Sequence, residues 1–491
     1  MLLEIALRLF LNQWDFYIDD PIITFRYTQN LLAGQGFTFN AGEHVLGTTT
    51  PLYALVLAFP TALGLPVWLS SRLLNLLSDL ANIVLIYAIL WLFSKQPFIP
   101  VFGALIFAIS PFLNLYAMNG METPLVIALM LAAFYAGIRQ KSVLTGILMG
   151  LMLFARIDTA LFVLLLFLVL WWERKRLPLK EALWAAITLA PWIVFATLYF
   201  GSPIPVTLGV KLVYYAHLIN PLYAWGTVLY VLGNSLSPLL LYAALALIGL
   251  IANIKKKYVT MIAAWIILYI AINMFTSPNS HHWYYTPPVP FIIFLTALGW
   301  SFLLDKLLIP IKARIVQIII IVAIVLTSVG LSIPAWTGEI ADYIHRLVVV
   351  TAHGKQISLW MNQNIPSDAT ICTTNPGYPG MYTKFRILDT GCLISPELLP
   401  LYRNRSWEEG DRLVLERYKP DFLFTILRNT SELPQNYLLI KEFIPTQKAR
   451  PKDRSGIAVI CGQKGSGFAQ AVLARKTYGD PAFKPENLLI K

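Results

Sequence analysis

The chain has 491 residues, 57% hydrophobic and only 13% charged, with a net charge of +12. Soluble domains carry nearer a quarter charged residues, so this balance excludes an ordinary soluble enzyme and points to a membrane protein. The positive excess lies mostly in short loops between apolar runs, where it orients a chain in a bilayer and is no mark of a nucleic-acid partner.

In chain order, residues 1–12 are apolar but too short to cross a bilayer alone, as expected of a partial span, from a start site set too late or a truncated first span, and no cleavable signal peptide is read. A polar, glycine-punctuated stretch follows, about 13–66, with two short helices at about 20–33 and 50–64. Spans are then expected at about 67–93, 98–117, 122–138, 142–155, 159–172, 182–200, 225–252, 259–275, 286–304 and 315–334. The fold expected is mostly α: a polytopic transmembrane bundle of about 10–11 spans, occupying 1–335. Residues 336–491 are more polar. Their helical pattern at 348–363 and β-like runs at 369–373, 421–425 and 457–461 predict a small α/β domain, with a less periodic end at 462–491. Three cysteines, Cys372, Cys392 and Cys461, allow at most one internal disulfide, with Cys372–Cys392 the candidate pair.

Lys95, Arg139, Lys141, the 174–180 cluster, Lys255–Lys257, Lys306, Lys312 and Arg314 occupy every second loop, which the positive-inside rule makes cytoplasmic. The unusual polar chemistry falls in the remaining, outer loops: Asp19-Asp20, Gly120-Met121-Glu122, Arg156-Ile157-Asp158, 201–211 and Ser280–Trp283. The domain that follows the last span then also lies outside.

Membranes bury few acids without a reason. Asp19 and Asp20 are therefore candidate catalytic residues, one able to act as general base and Asp20 also as a metal ligand. Equally, Asp20 before Pro21 reads as a helix start. Arg26 is a substrate-binding candidate. Glu43 either binds substrate hydroxyls or pairs with Arg26. Glu122 serves substrate or simply suits a helix N-terminus. Arg156 and Asp158 sit between two spans with almost no loop and either pair or face a polar cavity. Lys211 suits a lipid phosphate. His281 and His282 could assist a phosphate leaving group or bind metal, while Trp283, Tyr284 and Tyr285 read as an interface belt. No P-loop, GxGxxG or zinc signature is present, so a nucleotide-dependent reaction is unsupported.

The stretch DDPIITFRYTQNLLAGQGFTFNAGEHVLGTTTPL, Asp19 to Leu52, resembles the first outer loop of the GT-C superfamily of integral-membrane glycosyltransferases. More narrowly, it resembles the branch that includes the mycobacterial terminal arabinofuranosyltransferase. NGMETPL, ARID and PIPVTLGVK resemble further motifs of that branch, and ILDTG looks more loosely like its C-terminal domain. Pro21 and Asp158 depart from the branch, which has a small residue and a Glu there. The resemblance implies an inverting glycosyltransferase. Its donor would be a sugar on a polyprenyl phosphate, and its acceptor a glycan, lipid or protein outside the cytoplasm. Asp19 aligns with the usual base. Arg156, Lys211 and His282 would stabilise the leaving phosphate. Some relatives use a divalent metal and many do not, so the resemblance leaves a metal open and names no certain cofactor. It also implies a bacterial cytoplasmic membrane with the site on its outer side. Two other classes compete. A transporter would draw on the mid-span polar pair Asp79 and Asn82 and on an interruption at Gly233-Asn234. A non-catalytic subunit of envelope glycan assembly would survive neutralisation of Asp19.

Overall fold

The computed structural model describes the chain except residues 95, 214–218, 278–280, 308–313, 404, 428–433, 435, 444–456 and 464–491. Lys95, Lys312, Ser280 and nearly all of the less periodic end expected at 462–491 therefore lie outside the described residues. The order of helices is α1 (Leu2–Leu11), α2 (Asp19–Leu32), α3 (Pro51–Ala62), α4 (Val67–Phe93), α5 (Phe98–Ile109), α6 (Pro111–Met118), α7 (Thr123–Ile138), α8 (Ser142–Ala155), α9 (Ala160–Arg174) and α10 (Leu179–Phe200). Then come α11 (Val206–Val213), α12 (Pro221–Ser235), α13 (Leu239–Asn253), α14 (Lys257–Thr276), α15 (Val289–Leu307), α16 (Arg314–Ala335) and α17 (Ala341–Asn364).

Local chemistry sets many of these ends. Pro51, Pro111, Pro124 and Pro221 sit in first turns, where no intrahelical N–H is needed. The Asn220 side chain caps α12 by accepting from the amides of Leu222 and Tyr223. α2 is capped differently from the sequence expectation. Its N-cap is Ile18, with Asp19 and Asp20 already inside the first turn, where their charge meets the helix dipole.

Among the described residues five helices are long and apolar enough to cross a membrane, or up to seven if each of two bent pairs counts as one span. The expected span at 98–117 is such a pair, α5 and α6, bent by 53°. That at 225–252 is α12 and α13, turned by 90°. The break falls at 236–238, after Ser235, and α12 runs unbroken through Gly233-Asn234. The last span does not stop at 335. α16 passes through a π-helical turn, Trp336–Ile340, straight into α17, so one helical run joins the bundle to the outer domain.

The core of the bundle is apolar side chains of α4, α5, α7, α8, α9, α14 and α15. α13 and α15 meet at Gly249 and Gly299, where a Cβ on either would run into the backbone of the other helix, at Leu295 and Leu245 respectively. The mid-span acid of α4 is accounted for locally: Asp79 pairs with Arg8 of α1 and accepts from Asn82, whose amide also donates to the Pro124 carbonyl (3.1 Å each). That pair therefore offers a transporter no free mid-bilayer charge.

The C-terminal domain contains β1 (Thr370–Thr373), α18 (Gly377–Tyr382), β2 (Arg386–Asp389), α19 (Leu399–Tyr402), α20 (Trp407–Tyr418), β3 (Phe422–Leu427), β4 (Tyr437–Phe443) and β5 (Ile457–Gln463). The sheet runs β2-β1-β3-β5-β4, parallel across β2, β1 and β3 and antiparallel across β3, β5 and β4. Three of its strands coincide with the expected β-like runs; β2 and β4 do not. The cysteine bridge is not formed: all three thiols are free and buried in this domain.

Candidate active site

The segment 13–66 and the C-terminal domain share one apolar core. Tyr27, Phe37, Phe39 and Leu46 pack in the same cluster as Ile371, Ile387, Phe422 and Ile460. Polar contacts fix the register between them. Asn40 donates to the Ile387 carbonyl and accepts from the Ile387 amide, both at 2.9 Å. Arg26 donates to the carbonyls of Phe39 (3.2 Å) and Thr383 (2.7 Å). Glu43 bonds Asn40 (2.9 Å) and pairs with Arg386 (2.6 Å), so its partner is not Arg26. Arg26 and Glu43 thus hold the loop to the domain.

Beneath this seam lie two cavities with a common wall. The smaller, about 150 Å³, is lined by Asp20, Gly47, Thr48, Thr49, His281 and Leu393, among others. The larger, about 340 Å³, is lined by Glu122, Arg156, Asp158, Tyr269 and Trp283 together with apolar residues such as Leu161 and Ile272. Asp20, Thr24, Thr49, Thr207, Lys211 and Tyr284 line both. Asp20 is the acid the two cavities share.

The adjacent acid is turned elsewhere. Asp19 Oδ1 accepts the amide of Gly377 at 3.0 Å, a contact so close that a Cβ on Gly377 would collide with the carboxylate. Withdrawal from water, and then the neighbouring carboxylates of Asp20 and Asp389, push the Asp19 pKa up to about 8.

Arg156 is clamped. It donates to Asp158 through Nε (3.0 Å) and Nη2 (2.7 Å) and to Glu122 through Nη1 (2.8 Å), while the Tyr269 hydroxyl donates to Asp158 at 3.0 Å. Its charge is answered twice within the protein. Among the described residues Lys211 has no carboxylate at this range. Its Nζ donates to the Tyr284 hydroxyl at 2.8 Å and lies 4.9 Å from that ring's centre. The two histidines part company, as adjacent residues on a tight turn must. His281 lines the smaller cavity and stacks on Trp283 with ring centres 4.2 Å apart. His282 packs instead among Phe112, Tyr230 and Tyr343, away from both cavities. Trp283, Tyr284 and Tyr285 are not a lipid-facing belt: Tyr284 and Tyr285 are buried and Trp283 lines the larger cavity.

Of the residues named from sequence, Asp20, Glu122, Arg156, Asp158, Lys211 and His281 come together, whereas Asp19, Arg26, Glu43 and His282 lie outside the cavities. Sequence reasoning passed over Thr24, the Thr48–Thr50 run as lining, Thr207, Tyr269 and Leu393. The threonines lay inside the quoted motifs and were recoverable. Tyr269, one aromatic within an apolar helix, and Leu393, far along the chain, carried no signal. Among the described residues no group of three His, Cys, Asp or Glu side chains converges as metal ligands would. Asp20 alone does not fit a metal held by protein side chains.

A family model described as a domain of unknown function (DUF8728) matches residues 342–463. No curated protein matches the chain. Among solved structures, the chain is similar to ArnT from Cupriavidus metallidurans bound to undecaprenyl phosphate, with TM-score 0.60, 13% identity, and 94% of this chain and 97% of that one covered. The apo state of ArnT gives 0.55 at 13% identity over the same shares. Arabinofuranosyltransferase AftD from mycobacteria gives 0.54 at 14% identity, over 95% of this chain but 41% of AftD. At these identities what is shared is the fold, which is GT-C-like and resembles that of AftD.

Proposed function

We propose that this protein is an inverting glycosyltransferase that moves a sugar from a polyprenyl phosphate to a hydroxyl of an extracytoplasmic glycan, lipid or protein. The observation that carries the proposal is Asp20, the acid on the wall common to both cavities, with Lys211 on the same wall. The fold likeness to a protein bound to undecaprenyl phosphate supports the donor class.

In this reading the larger cavity, with its apolar lining, takes the lipid-linked donor, and the smaller one takes the acceptor. Asp20 accepts the proton of the acceptor hydroxyl as its oxygen attacks the anomeric carbon. The bond from that carbon to the phosphate oxygen breaks, and the phosphate leaves as an anion. One displacement inverts the centre, and no second carboxyl acid is needed because phosphate is already a competent leaving group. Among the described residues Lys211 is a cavity-lining cation with no carboxylate partner, and it meets that developing charge. Arg156, answered by Glu122 and Asp158, contributes position more than charge. That differs from the role the resemblance gave it, and it leaves His282 without one.

The alternation of charge supports an outer-face site. α7 begins beside the cavity residue Glu122 and ends at Arg139, and α8 begins at Lys141 and ends at the cavity residue Arg156. The basic ends belong in the cytoplasm of a bacterial cell, so the cavities belong outside.

The test is transfer from undecaprenyl-phosphate sugars by the purified full chain in liposomes. Asp20→Asn is expected to lower kcat by at least about a hundredfold while undecaprenyl phosphate binding persists. Asp19→Asn, which keeps an oxygen for the Gly377 amide, is expected to stay within a few-fold of wild type. The opposite ranking would move the base to Asp19. A folded wild type that neither binds undecaprenyl phosphate nor transfers sugar would sink the proposal and bring forward the non-catalytic subunit.

A further inference from the structure

The smaller cavity is not walled by the membrane bundle and first loop alone. Leu393, from the outer domain, lines it beside Asp20, Thr48 and His281. Leu393 follows β2 in a tight turn built around one buried carboxylate. Asp389 accepts the amides of Gly391 (2.8 Å), Leu393 (2.8 Å) and Ile394 (3.2 Å), and its own amide donates to Ser395 Oγ at 3.0 Å. Cys392 sits within the turn at φ +59°, a left-handed conformation that a non-glycine residue holds only when its surroundings fix it. The turn is pressed onto the first loop. A Cβ on Gly47 would come within 2.7 Å of the Leu393 carbonyl and 2.8 Å of Ile394 Cγ2. The Tyr27 hydroxyl locks the same spot by accepting from the Gly47 amide at 2.8 Å and donating to the Val45 carbonyl at 2.6 Å. So Leu393 is a half-buried apolar side chain, held rigidly by backbone on both sides, that meets whatever enters the smaller cavity.

We infer that the outer domain completes the acceptor site, that Leu393 selects among acceptors by shape, and that Asp389 is its positioning residue. The ligand chemistry is a hydroxyl-bearing sugar whose apolar ring face lies on Leu393 while its hydroxyls meet the threonines and Asp20. A cavity of about 150 Å³ holds little more than one sugar ring, so a change of one side chain there changes what fits. This rests on the reading of the smaller cavity as the acceptor side of a glycosyltransferase.

The experiment measures binding of two probes to the purified full chain by titration calorimetry: undecaprenyl phosphate and a panel of octyl glycosides of differing ring and stereochemistry. Leu393→Trp is expected to weaken octyl glycoside binding at least tenfold while undecaprenyl phosphate affinity stays within twofold. Leu393→Ala, which opens the cavity and threatens folding less, should shift preference toward bulkier glycosides. Asp389→Asn should raise the acceptor Kd, with undecaprenyl phosphate unaffected. An unchanged glycoside profile in both Leu393 variants overturns the inference, as does an equal loss for both probes, or a wild type that binds no glycoside. Glycoside binding that responds to Leu393 in a protein with no affinity for undecaprenyl phosphate would keep the acceptor wall and overturn the donor reading instead.

Discussion

Two neighbouring aspartates face different surroundings: Asp19 meets the Gly377 amide and Asp20 the cavities. Successive residues of a helix point about 100° apart, so once Asp19 reaches the Gly377 amide, Asp20 must face another way, and it faces the cavities. The raised pKa of Asp19 has a consequence for stability. A carboxyl whose folded pKa lies above its unfolded value contributes fully below about pH 4 and loses that contribution as pH rises through about 8. Asp19→Asn removes the titration while keeping the hydrogen bond. The variant is expected to gain on wild type as pH rises from 5 to 8, by roughly 1 kcal/mol, since Asp19 is half-buried and water screens part of the penalty. Melting curves in detergent across that range check it: parallel pH profiles for the two proteins would refute the assignment. The acidic dipeptide is plain in the sequence, but which acid faces the cavities depends on Gly377, some 360 residues away.

At the scale of elements, the legible features were those with a local cause. Helix starts followed prolines and a capping asparagine, and Gly34 with φ +74° follows the C-cap of α2 as expected of a glycine at a helix end. What the periodicity could not convey was where long apolar runs bend. A run of apolar residues looks the same whether it is one straight helix or two at 90°, because hydropathy carries no direction. Close helix contacts were equally silent. Gly249 and Gly299 look like ordinary glycines of apolar helices, yet each admits the backbone of the other helix. Gly249→Ala is therefore expected to cost roughly 1–3 kcal/mol, because the Cβ has only backbone to push against. By contrast, Gly233→Ala on α12, where an added Cβ meets nothing within 4 Å, should be neutral or mildly stabilising. Thermal unfolding of the two variants in the same detergent separates them; equal losses would refute the contact.

Across the whole molecule, the bundle and the outer domain are one structure. A continuous helical run, a shared apolar core and the Asn40–Ile387 exchange join them. Asn40→Ala strands the amide and carbonyl of Ile387 in a buried seam, at an expected cost of roughly 1–3 kcal/mol. It should also speed proteolytic release of the domain while the bundle's own melting changes little; unchanged proteolysis would mean that the apolar core alone holds the seam. The sequence by itself determined the membrane class, the alternation of basic loops with loops of other polar chemistry, the mixed α/β character of the C-terminal region and a loop rich in acid and threonine. Each of these follows from composition or from neighbours in the chain, since hydrophobic periodicity, turn residues and charge act locally. Only the tertiary structure decided which acid faces the cavities, that Arg156 is paired with two carboxylates while Lys211 meets Tyr284, and that Leu393 lines the smaller cavity. Those outcomes depend on contacts between segments hundreds of residues apart, and packing, not local preference, sets which side chains such segments turn toward each other.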